Sequence, residues 1–118
     1  IGLDRPRDEL YARIDRRVDE MVELGLIDET RRLLVAGYDA HLPSMTGLGY
    51  REMTAYLRGE LALDEAVARI KTETHRYVRH QYTWFRRMAG VQWFDMQVGD
   101  SPQRIMALAE AFLSGELR

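Results

Sequence analysis

Residues 63–88 read LDEAVARIKTETHRYVRHQYTWFRRM, and their pattern is that of one long helix. Apolar side chains recur there at spacings of three and four, which place them on one side of a helix. Asp64 and Glu65 lie at the start of this helix, where negative side chains interact favourably with the positive end of the helix dipole. The side chains predicted to form the buried side are Leu63, Val67, Ile70, Thr74, Tyr77, Val78, Gln81, Phe85 and Met88.

The helical pattern continues on both sides of this segment. Glycines separate the segments, and Gly25, Gly37 and Gly59 stand where left-handed residues commonly end a helix. Residues 38–49 contain a proline and two glycines, so we predict a loop there. Further helices are predicted at residues 6–24, 27–36, 50–57 and 101–113.

One segment departs from the helical pattern. Residues 91–95, VQWFD, have the aromatic and β-branched character of a short strand. A single strand needs a neighbour for its backbone hydrogen bonds, and we find no second strand in the sequence. We therefore predict a nearly all-α domain over residues 1–118, with about five helices and one orphan strand. An extended connector under the last helix is the alternative for this segment.

The overall composition limits the class of protein. With 118 residues, of which 46% are hydrophobic and 31% charged, the chain suits one small globular domain with a core. It has no cysteine, which excludes disulfides, thiolate metal sites and a cysteine nucleophile. The absence of cysteine permits a reducing, cytoplasmic setting, and we expect a cytoplasmic protein. No apolar run is long enough to span a bilayer, so no membrane segment is expected. The orphan strand and the first residue, Ile1, suggest a piece of a longer chain.

Positive charge is concentrated in one segment. Residues 1–70 hold 10 basic and 14 acidic side chains, whereas residues 71–90 hold five basic side chains against a single acidic one, Glu73. On the long helix the basic stripe comprises Arg76, Arg79, Thr83 and Arg86, flanked by His80, Tyr82 and Arg87. A basic stripe with aromatic neighbours is typical of nucleic-acid binding. An ordinary solvated face is the alternative.

One arginine of the first predicted helix does not fit its surroundings. The apolar stripe of that helix comprises Leu10, Ile14, Val18 and Met21. Arg17 is expected in the middle of this stripe, and burial of its charge is costly unless an anion meets it. An internal acidic partner, or a stem on the core with the head in solvent, would satisfy it. The functional alternative is a phosphate site, with Arg13 one turn back as a helper.

Other motifs give weaker indications. Residues 46–51, TGLGYR, form a loop at a helix start, where exposed N–H groups can bind phosphate. His41, His75 and His80 lack the spacing of metal ligands, which favours solvated or structural histidines. The sequence contains neither a GxSxG motif nor a phosphate-binding P-loop. These motifs alone therefore support binding rather than catalysis.

Several longer segments resemble a known family. The segments LYARIDRRVDEMVELGLIDE, LPSMTGLGYREM, YLRGELALDEA and THRYVRHQYTWFRRMAGVQWFD are similar, in order and spacing, to the C-terminal part of bacterial tRNA dimethylallyltransferases, the IPP transferase family. The resemblance covers residues 3–95. The final predicted helix does not contribute to it.

The resemblance implies a magnesium-dependent enzyme that transfers a dimethylallyl group from dimethylallyl diphosphate to N6 of the adenosine next to the tRNA anticodon. The family has a P-loop-like α/β core, which would hold the magnesium ligands, the general-base aspartate and the active-site threonine. None of these lies in this chain, and residues 91–95 would join the sheet of that N-terminal core. Arg17 falls on the family's diphosphate-binding arginine, with the role of stabilising charge on the leaving pyrophosphate.

The resemblance also implies contacts with the tRNA anticodon stem-loop. The residues that match the family's two contact segments are Thr46, Gly47, Leu48, Gly49, Tyr50, Arg51, Arg79, His80, Gln81, Tyr82, Thr83, Trp84, Phe85 and Arg86. Arg13 and Arg76 are candidates for auxiliary phosphate contacts. His80 stands where the family usually has arginine, which weakens a phosphate contact near neutral pH.

A different class of protein is the alternative. The chain would then be a free-standing helical interaction module and not an enzyme, with Arg17 in an internal salt bridge and residues 91–95 paired with a second copy. Under the transferase interpretation, the isolated chain is expected to have no transferase activity, because the P-loop is not in it.

Overall fold

The predicted helices are all present in the computed structural model, which describes residues 1–97 and 102–116. The elements in chain order are β1 (Gly2–Asp4), α1 (Arg7–Glu23), α2 (Leu26–Val35), α3 (Tyr50–Leu57), α4 (Leu63–Arg86), β2 (Trp93–Asp95) and α5 (Pro102–Leu113). The nearly all-α fold class is confirmed, and α3 has the predicted bounds. Ser101, the predicted start of the last helix, lies outside the described residues. No helix within these ranges is long and apolar enough to cross a membrane.

The chain divides into two compact units. Unit 1 comprises Ile1–Leu10 with Gln81–Arg118, and unit 2 comprises Tyr11–His80. The boundaries fall inside α1 and α4, so each of these helices contributes residues to both units.

Unit 2 is organised around a small apolar core. The buried members of this core are Val18 of α1, Leu26 of α2, Met53 of α3, and Ala66 and Ile70 of α4. Gly25 has a φ of 112°, which lets the chain turn sharply from α1 into α2. Inside α2 the buried Thr30 hydroxyl donates to the Leu26 carbonyl at 2.8 Å, so this polar side chain is satisfied within the core. All four helices of unit 2 therefore meet at one core.

The prediction of which side chains of α4 are buried is only half right. Ile70 is buried, and Leu63, Val67, Thr74 and Val78 are half-buried, as their spacing predicts. Tyr77, Phe85 and Met88 are instead 60%, 36% and 48% exposed, and Gln81 is also exposed. Helical spacing shows which side chains share a side, but burial also requires residues opposite them. The fully buried Ala66 lay outside the prediction.

Unit 1 contains a strand pair that the sequence analysis missed. β1 runs parallel to β2, with Gly2 opposite Trp93 and Asp4 opposite Asp95. The Gly2 N–H donates to the Gln92 carbonyl at 2.7 Å, and the Met96 N–H donates to the Asp4 carbonyl at 2.9 Å. The prediction of an orphan strand was therefore wrong. Three residues are too few to show the alternation by which a strand is recognised.

The Trp93 side chain lies directly over Gly2. A β-carbon at Gly2 would come within 2.6 Å of Trp93 Cε3, closer than two carbon atoms can approach. Phe94, next to Trp93, is 2% exposed and lies beneath the Arg104 guanidinium, whose carbon is 5.6 Å from the ring centre. The absence of a side chain at Gly2 thus lets an indole cover the strand pair.

Candidate nucleic-acid interface

Arg17 is exposed and does not lie within the buried stripe of α1. Val18 is the buried residue of this helix, and the next residue on a helix lies about 100° around the axis. Arg17 therefore lies at the edge of the stripe and not in its middle, and its exposure agrees with the alternative of a head that reaches solvent. Within residues 1–97 and 102–116, its guanidinium has no hydrogen bond or ion pair, so the internal salt bridge is absent as well. Arg13, one turn earlier, is also exposed.

Unit 2 contains a surface groove between the 46–51 loop and α4. The groove is lined by Thr46, Leu48, Arg51, Glu73, Arg76, Tyr77 and His80. Its volume is about 280 Å³, just below the roughly 300–1,000 Å³ typical of small-molecule sites. The structure thus brings together five of the residues predicted to contact RNA, and adds Glu73 and Tyr77.

Helix α4 supplies one wall of this groove through regular spacing. Glu73, Arg76, Tyr77 and His80 lie at positions i, i+3, i+4 and i+7, so they share one side of the helix. In the described part of the chain, the Arg76 and His80 side chains have no ion pair, and neither does the half-buried Glu73 carboxylate. The sequence signal for Glu73 was present, because it is the only acidic residue among residues 71–90.

The start of α3 does not offer free N–H groups in the way the sequence suggested. The Gly49 N–H donates to Glu52 Oε2 at 2.8 Å, and the Glu52 side chain is buried. The other carboxylate oxygen accepts from Arg51 Nη2 at 2.9 Å. An acidic side chain therefore already occupies the positive end of this short helix. The Gly49 N–H is therefore not among the exposed N–H groups of this loop that could bind phosphate.

The remaining residues of this loop have mainly local contacts. The Tyr50 hydroxyl donates to Glu29 Oε1 of α2, and this hydrogen bond raises the pKa of Tyr50 above its usual value. The Thr46 hydroxyl donates to the Pro43 carbonyl at 3.0 Å. Gly47 is half-buried, whereas Leu48 keeps 41% of its surface exposed. Tyr50 thus links α3 to α2 by a hydrogen bond, and the Leu48 and Arg51 side chains are exposed to solvent.

A polar ladder connects α1 and α4 within unit 2. Its rungs are Lys71 Nζ to Asp19 Oδ1 at 2.8 Å, His75 Nε2 to Asp15 Oδ1 at 2.7 Å, and Arg79 Nη1 to the Tyr11 hydroxyl at 3.2 Å. The Tyr11 and His75 rings stack with their centres 4.1 Å apart. His75 is therefore a structural histidine, as its lack of metal-ligand spacing favoured. Matching four-residue steps on two antiparallel helices were the signal that would have revealed this ladder.

In unit 1, two residues predicted to contact RNA converge on one carboxylate. The Tyr82 hydroxyl donates to Asp4 Oδ1 at 2.7 Å, and Arg86 Nη2 donates to Asp4 Oδ2 at 3.1 Å. Burial, followed by the hydrogen bond to Asp4, raises the pKa of Tyr82 above its usual value. The sequence analysis did not single out Asp4, because its partners lie almost 80 residues further along the chain.

Aromatic rings complete this arrangement. The Tyr82 and Trp93 rings stack at 6.0 Å, and the Arg86 guanidinium lies 5.3 Å and 5.5 Å from their respective centres. We call Asp4, Tyr82, Arg86 and Trp93 the arginine–aromatic stack. It borders a cavity of about 350 Å³ lined by Asp4, Arg5, Pro6, Arg7, Tyr82, Arg86 and Asp95.

The other predicted contact residues of unit 1 lie on the surface. Gln81, Thr83 and Trp84 are exposed, and Trp84 keeps 64% of its surface accessible. Phe85 is 36% exposed and meets the Trp84 ring edge-on, with the centres 5.1 Å apart. This exposed aromatic pair has the flat surfaces that unpaired bases stack on.

Comparison with known proteins places the chain in a family. A model of the IPP transferase family matches residues 1–88, about three quarters of the chain. The chain therefore belongs to the IPP transferase family.

Two curated relatives carry the same name. The chain is 56% identical over 96 residues to the tRNA dimethylallyltransferase of Thermomicrobium roseum. The aligned residues cover 81% of this chain and 29% of the relative. It is 44% identical over 114 residues to that of Acetivibrio thermocellus, covering 97% of this chain and 36% of the relative. The chain thus spans about a third of the length of the curated relatives it matches.

Solved structures agree with this similarity. The full-length tRNA isopentenylpyrophosphate transferase of Bacillus halodurans has a TM-score of 0.84 and 46% identity, over 97% of this chain and 37% of that one. The tRNA delta(2)-isopentenylpyrophosphate transferase of Staphylococcus epidermidis has a TM-score of 0.88 and 29% identity, over 99% of this chain and 38% of that one. The fold of this chain is therefore shared with part of these larger proteins.

Proposed function

We propose that this chain is the C-terminal part of an enzyme that transfers a dimethylallyl group from dimethylallyl diphosphate to N6 of the adenosine next to the tRNA anticodon. In this reaction the bond between the dimethylallyl carbon and the diphosphate oxygen breaks, the carbon bonds to N6, and N6 loses a proton to a base. The family match over residues 1–88 and the names of the relatives support this proposal. The P-loop-like core that would supply the base is assigned to another part of the same polypeptide.

Arg17 is proposed to bind the diphosphate of the prenyl substrate. Its exposed guanidinium has no ion pair within the described residues, so its charge is available to an anion. Negative charge builds up on the leaving pyrophosphate as the carbon–oxygen bond breaks, and a fixed guanidinium stabilises that charge. Arg13 is exposed one turn earlier and is proposed as an auxiliary phosphate contact.

The anticodon stem-loop is the proposed macromolecular partner. The groove of unit 2 presents Arg51 and Arg76, which supply positive charge for an RNA backbone, and His80, whose ring can form a hydrogen bond. In unit 1, Trp84 and Phe85 offer exposed rings for unpaired bases. Positive charge thus supports RNA contact in unit 2, and exposed aromatic rings support it in unit 1.

The family also implies magnesium and a cytoplasmic location. Across residues 1–97 and 102–116, no group of three or more histidine, aspartate or glutamate side chains is arranged to hold a metal ion. These residues therefore do not fit a magnesium site, and we assign the magnesium ligands to the N-terminal core of the enzyme. We propose a cytoplasmic enzyme, because transfer RNA is its substrate.

The alternative of a free-standing interaction module loses its main support. That alternative required residues 91–95 to pair with a second copy and Arg17 to form an internal salt bridge. β2 pairs with β1 of the same chain, and Arg17 is exposed without such a partner in the described part of the molecule.

The role of Arg17 can be tested in the enzyme that contains the catalytic core. Arg17→Ala is expected to lower the rate of dimethylallyl transfer by about 100-fold or more, since loss of one group that stabilises transition-state charge costs roughly that much. The dissociation constant for tRNA should change little. Arg16→Ala is the matched control, because Arg16 is an exposed neighbour on the same helix. A variant that binds tRNA poorly but transfers at the normal rate would refute the role of Arg17.

The 118-residue protein alone tests whether this chain binds RNA while the N-terminal core is needed for transfer. It should bind an anticodon stem-loop weakly and in a salt-dependent manner, and it should not transfer dimethylallyl groups. Transfer by the purified chain would contradict the assignment of the catalytic base to the core.

A further inference from the structure

We propose that the groove between the 46–51 loop and α4 holds one unpaired nucleobase of the RNA, and that Glu73 selects a base carrying an exocyclic amino group. This inference rests on the proposed RNA-binding function, because it names what one part of that surface recognises. It assigns a specificity role to Glu73 and Tyr77, which neither the family motifs nor the basic stripe singled out.

The first argument is the chemistry of the groove. Among the described residues that line it, Glu73 is the only carboxylate, and Arg51, Arg76 and His80 line the same groove. A carboxylate repels a phosphate placed close to it even in water, because both groups are negatively charged. A groove that served only to bind the RNA backbone would be better without Glu73. The carboxylate therefore points to a hydrogen-bond donor in the ligand.

The second argument is that Glu73 is available for a ligand. Arg76 follows it by three residues, a spacing at which ion pairs often form on helices. No pair within 4.0 Å forms between them, and the described residues provide no other partner for this half-buried carboxylate. A half-buried carboxylate gains from a donor supplied by a ligand.

The third argument is the position of a ring beside the carboxylate. Tyr77 follows Glu73 by one helical turn and keeps 60% of its surface exposed in the groove. Unpaired bases stack favourably on such rings, whatever their sequence. Carboxylates accept hydrogen bonds from the amino group of cytosine, and the amino group of adenine offers the same donor. Leu48, 41% exposed, adds an apolar contact at the opposite wall.

The test uses the 118-residue chain and a set of RNA hairpins. Each hairpin replaces one unpaired adenosine of the loop by purine riboside, one guanosine by inosine, or one cytidine by uridine, so that the exocyclic amino group is absent at that position. Fluorescence anisotropy at low salt gives the dissociation constants. For the wild-type chain, removal of the amino group at one loop position should weaken binding about fivefold or more, since the Glu73 hydrogen bond is lost.

Variants identify the residue that makes this distinction. Glu73→Ala should abolish the preference at that position while binding of the amino-free hairpin stays equal or improves, because a repulsive charge is removed. Glu73→Gln should keep part of the preference through its amide oxygen. Glu23→Gln, an exposed carboxylate on α1, is the control for the change in net charge. Circular dichroism shows whether each variant is folded.

The outcomes separate this inference from the proposed function. If the wild-type chain binds RNA with no preference at any loop position, or if Glu73→Ala keeps the preference, the inference is wrong and RNA binding stands. If the wild-type chain binds no hairpin at low salt, the RNA-binding function of the chain fails together with the inference.

Discussion

The groove of unit 2 and the arginine–aromatic stack of unit 1 contain similar residues in different states. In the groove, Arg76 and His80 have no ion pair within the described residues. In the stack, Tyr82 and Arg86 both donate to Asp4. The same segment thus provides one arginine that has no ion pair, Arg76, and one that is already bound to a carboxylate, Arg86. Counting basic residues does not distinguish these two states.

This difference predicts different roles for the two regions. The ion pair of Arg86 and Asp4 is partly exposed, and such pairs typically contribute no more than about 1 kcal/mol. Its arginine also lies over two stacked rings, which fixes the side chain. We therefore expect changes in the stack to affect mainly stability, and changes in the groove to affect mainly RNA affinity.

The largest effect is expected at Gly2, beneath the stack. Gly2→Ala would bring a β-carbon within 2.6 Å of the Trp93 indole, which is itself held by Tyr82. Such overpacking should lower the free energy of unfolding by about 1–3 kcal/mol. Urea unfolding, followed by tryptophan fluorescence and circular dichroism, measures the change.

Gly47 in the groove loop is the matched control. A β-carbon there would lie 3.5 Å from the Ser44 carbonyl oxygen, an ordinary contact. Gly47→Ala should therefore change the free energy of unfolding by no more than about 0.5 kcal/mol. Equal losses from both substitutions would show that the stack has no special structural role.

A smaller effect is expected from removal of one cation in each region. Arg76→Ala should weaken binding of an anticodon stem-loop about three- to tenfold and reduce the slope of log affinity against log salt by roughly 0.7–0.9. Arg86→Ala should weaken binding less and instead lower the free energy of unfolding by up to about 1 kcal/mol. Anisotropy titrations at several salt concentrations, together with urea unfolding, distinguish these effects. A larger loss of affinity from Arg86→Ala would reverse the assignment.

The smallest effect concerns the pH dependence of the stack. The pKa of Tyr82 is raised from its usual value of 10.0, so the folded state holds this proton more tightly than the unfolded chain does. The resulting stabilisation is present below pH 10 and declines as pH rises above that value. The stability difference between wild type and Tyr82→Phe should therefore be largest near pH 8 and shrink above pH 10. Urea unfolding at several pH values tests this, and a constant difference would contradict it.

The sequence predicted the helices well because their signals are local. Apolar spacing and the positions of the glycines predict α3 at its observed bounds. They also predict the bounds of α1, α2 and α4 to within two residues. The strand pair could not be predicted, because β1 has three residues and its partner is about 90 residues away. Nothing local in the sequence marks Gly2 as a strand residue.

The site residues stay a prediction. Some residues of the 46–51 loop and of α4, which match the family's two contact segments, line one groove, but the sequence analysis did not predict that they lie close together. The predicted position of Arg17, in the middle of the apolar stripe of α1, was wrong, because a residue at the edge of such a stripe is easily counted within it. The ion pair between Asp4 and Arg86 joins residues far apart in sequence, and helical spacing does not show such contacts.

The parallel register of β1 and β2 also affects how the chain folds. The two strands are about 90 residues apart, so their pairing closes a long loop and carries a large entropic cost. The core of unit 2 draws on residues 18–70, which are complete before β2 is synthesised. Unit 2 is therefore expected to form first on the ribosome, and the strand pair to form only after residue 95 has emerged.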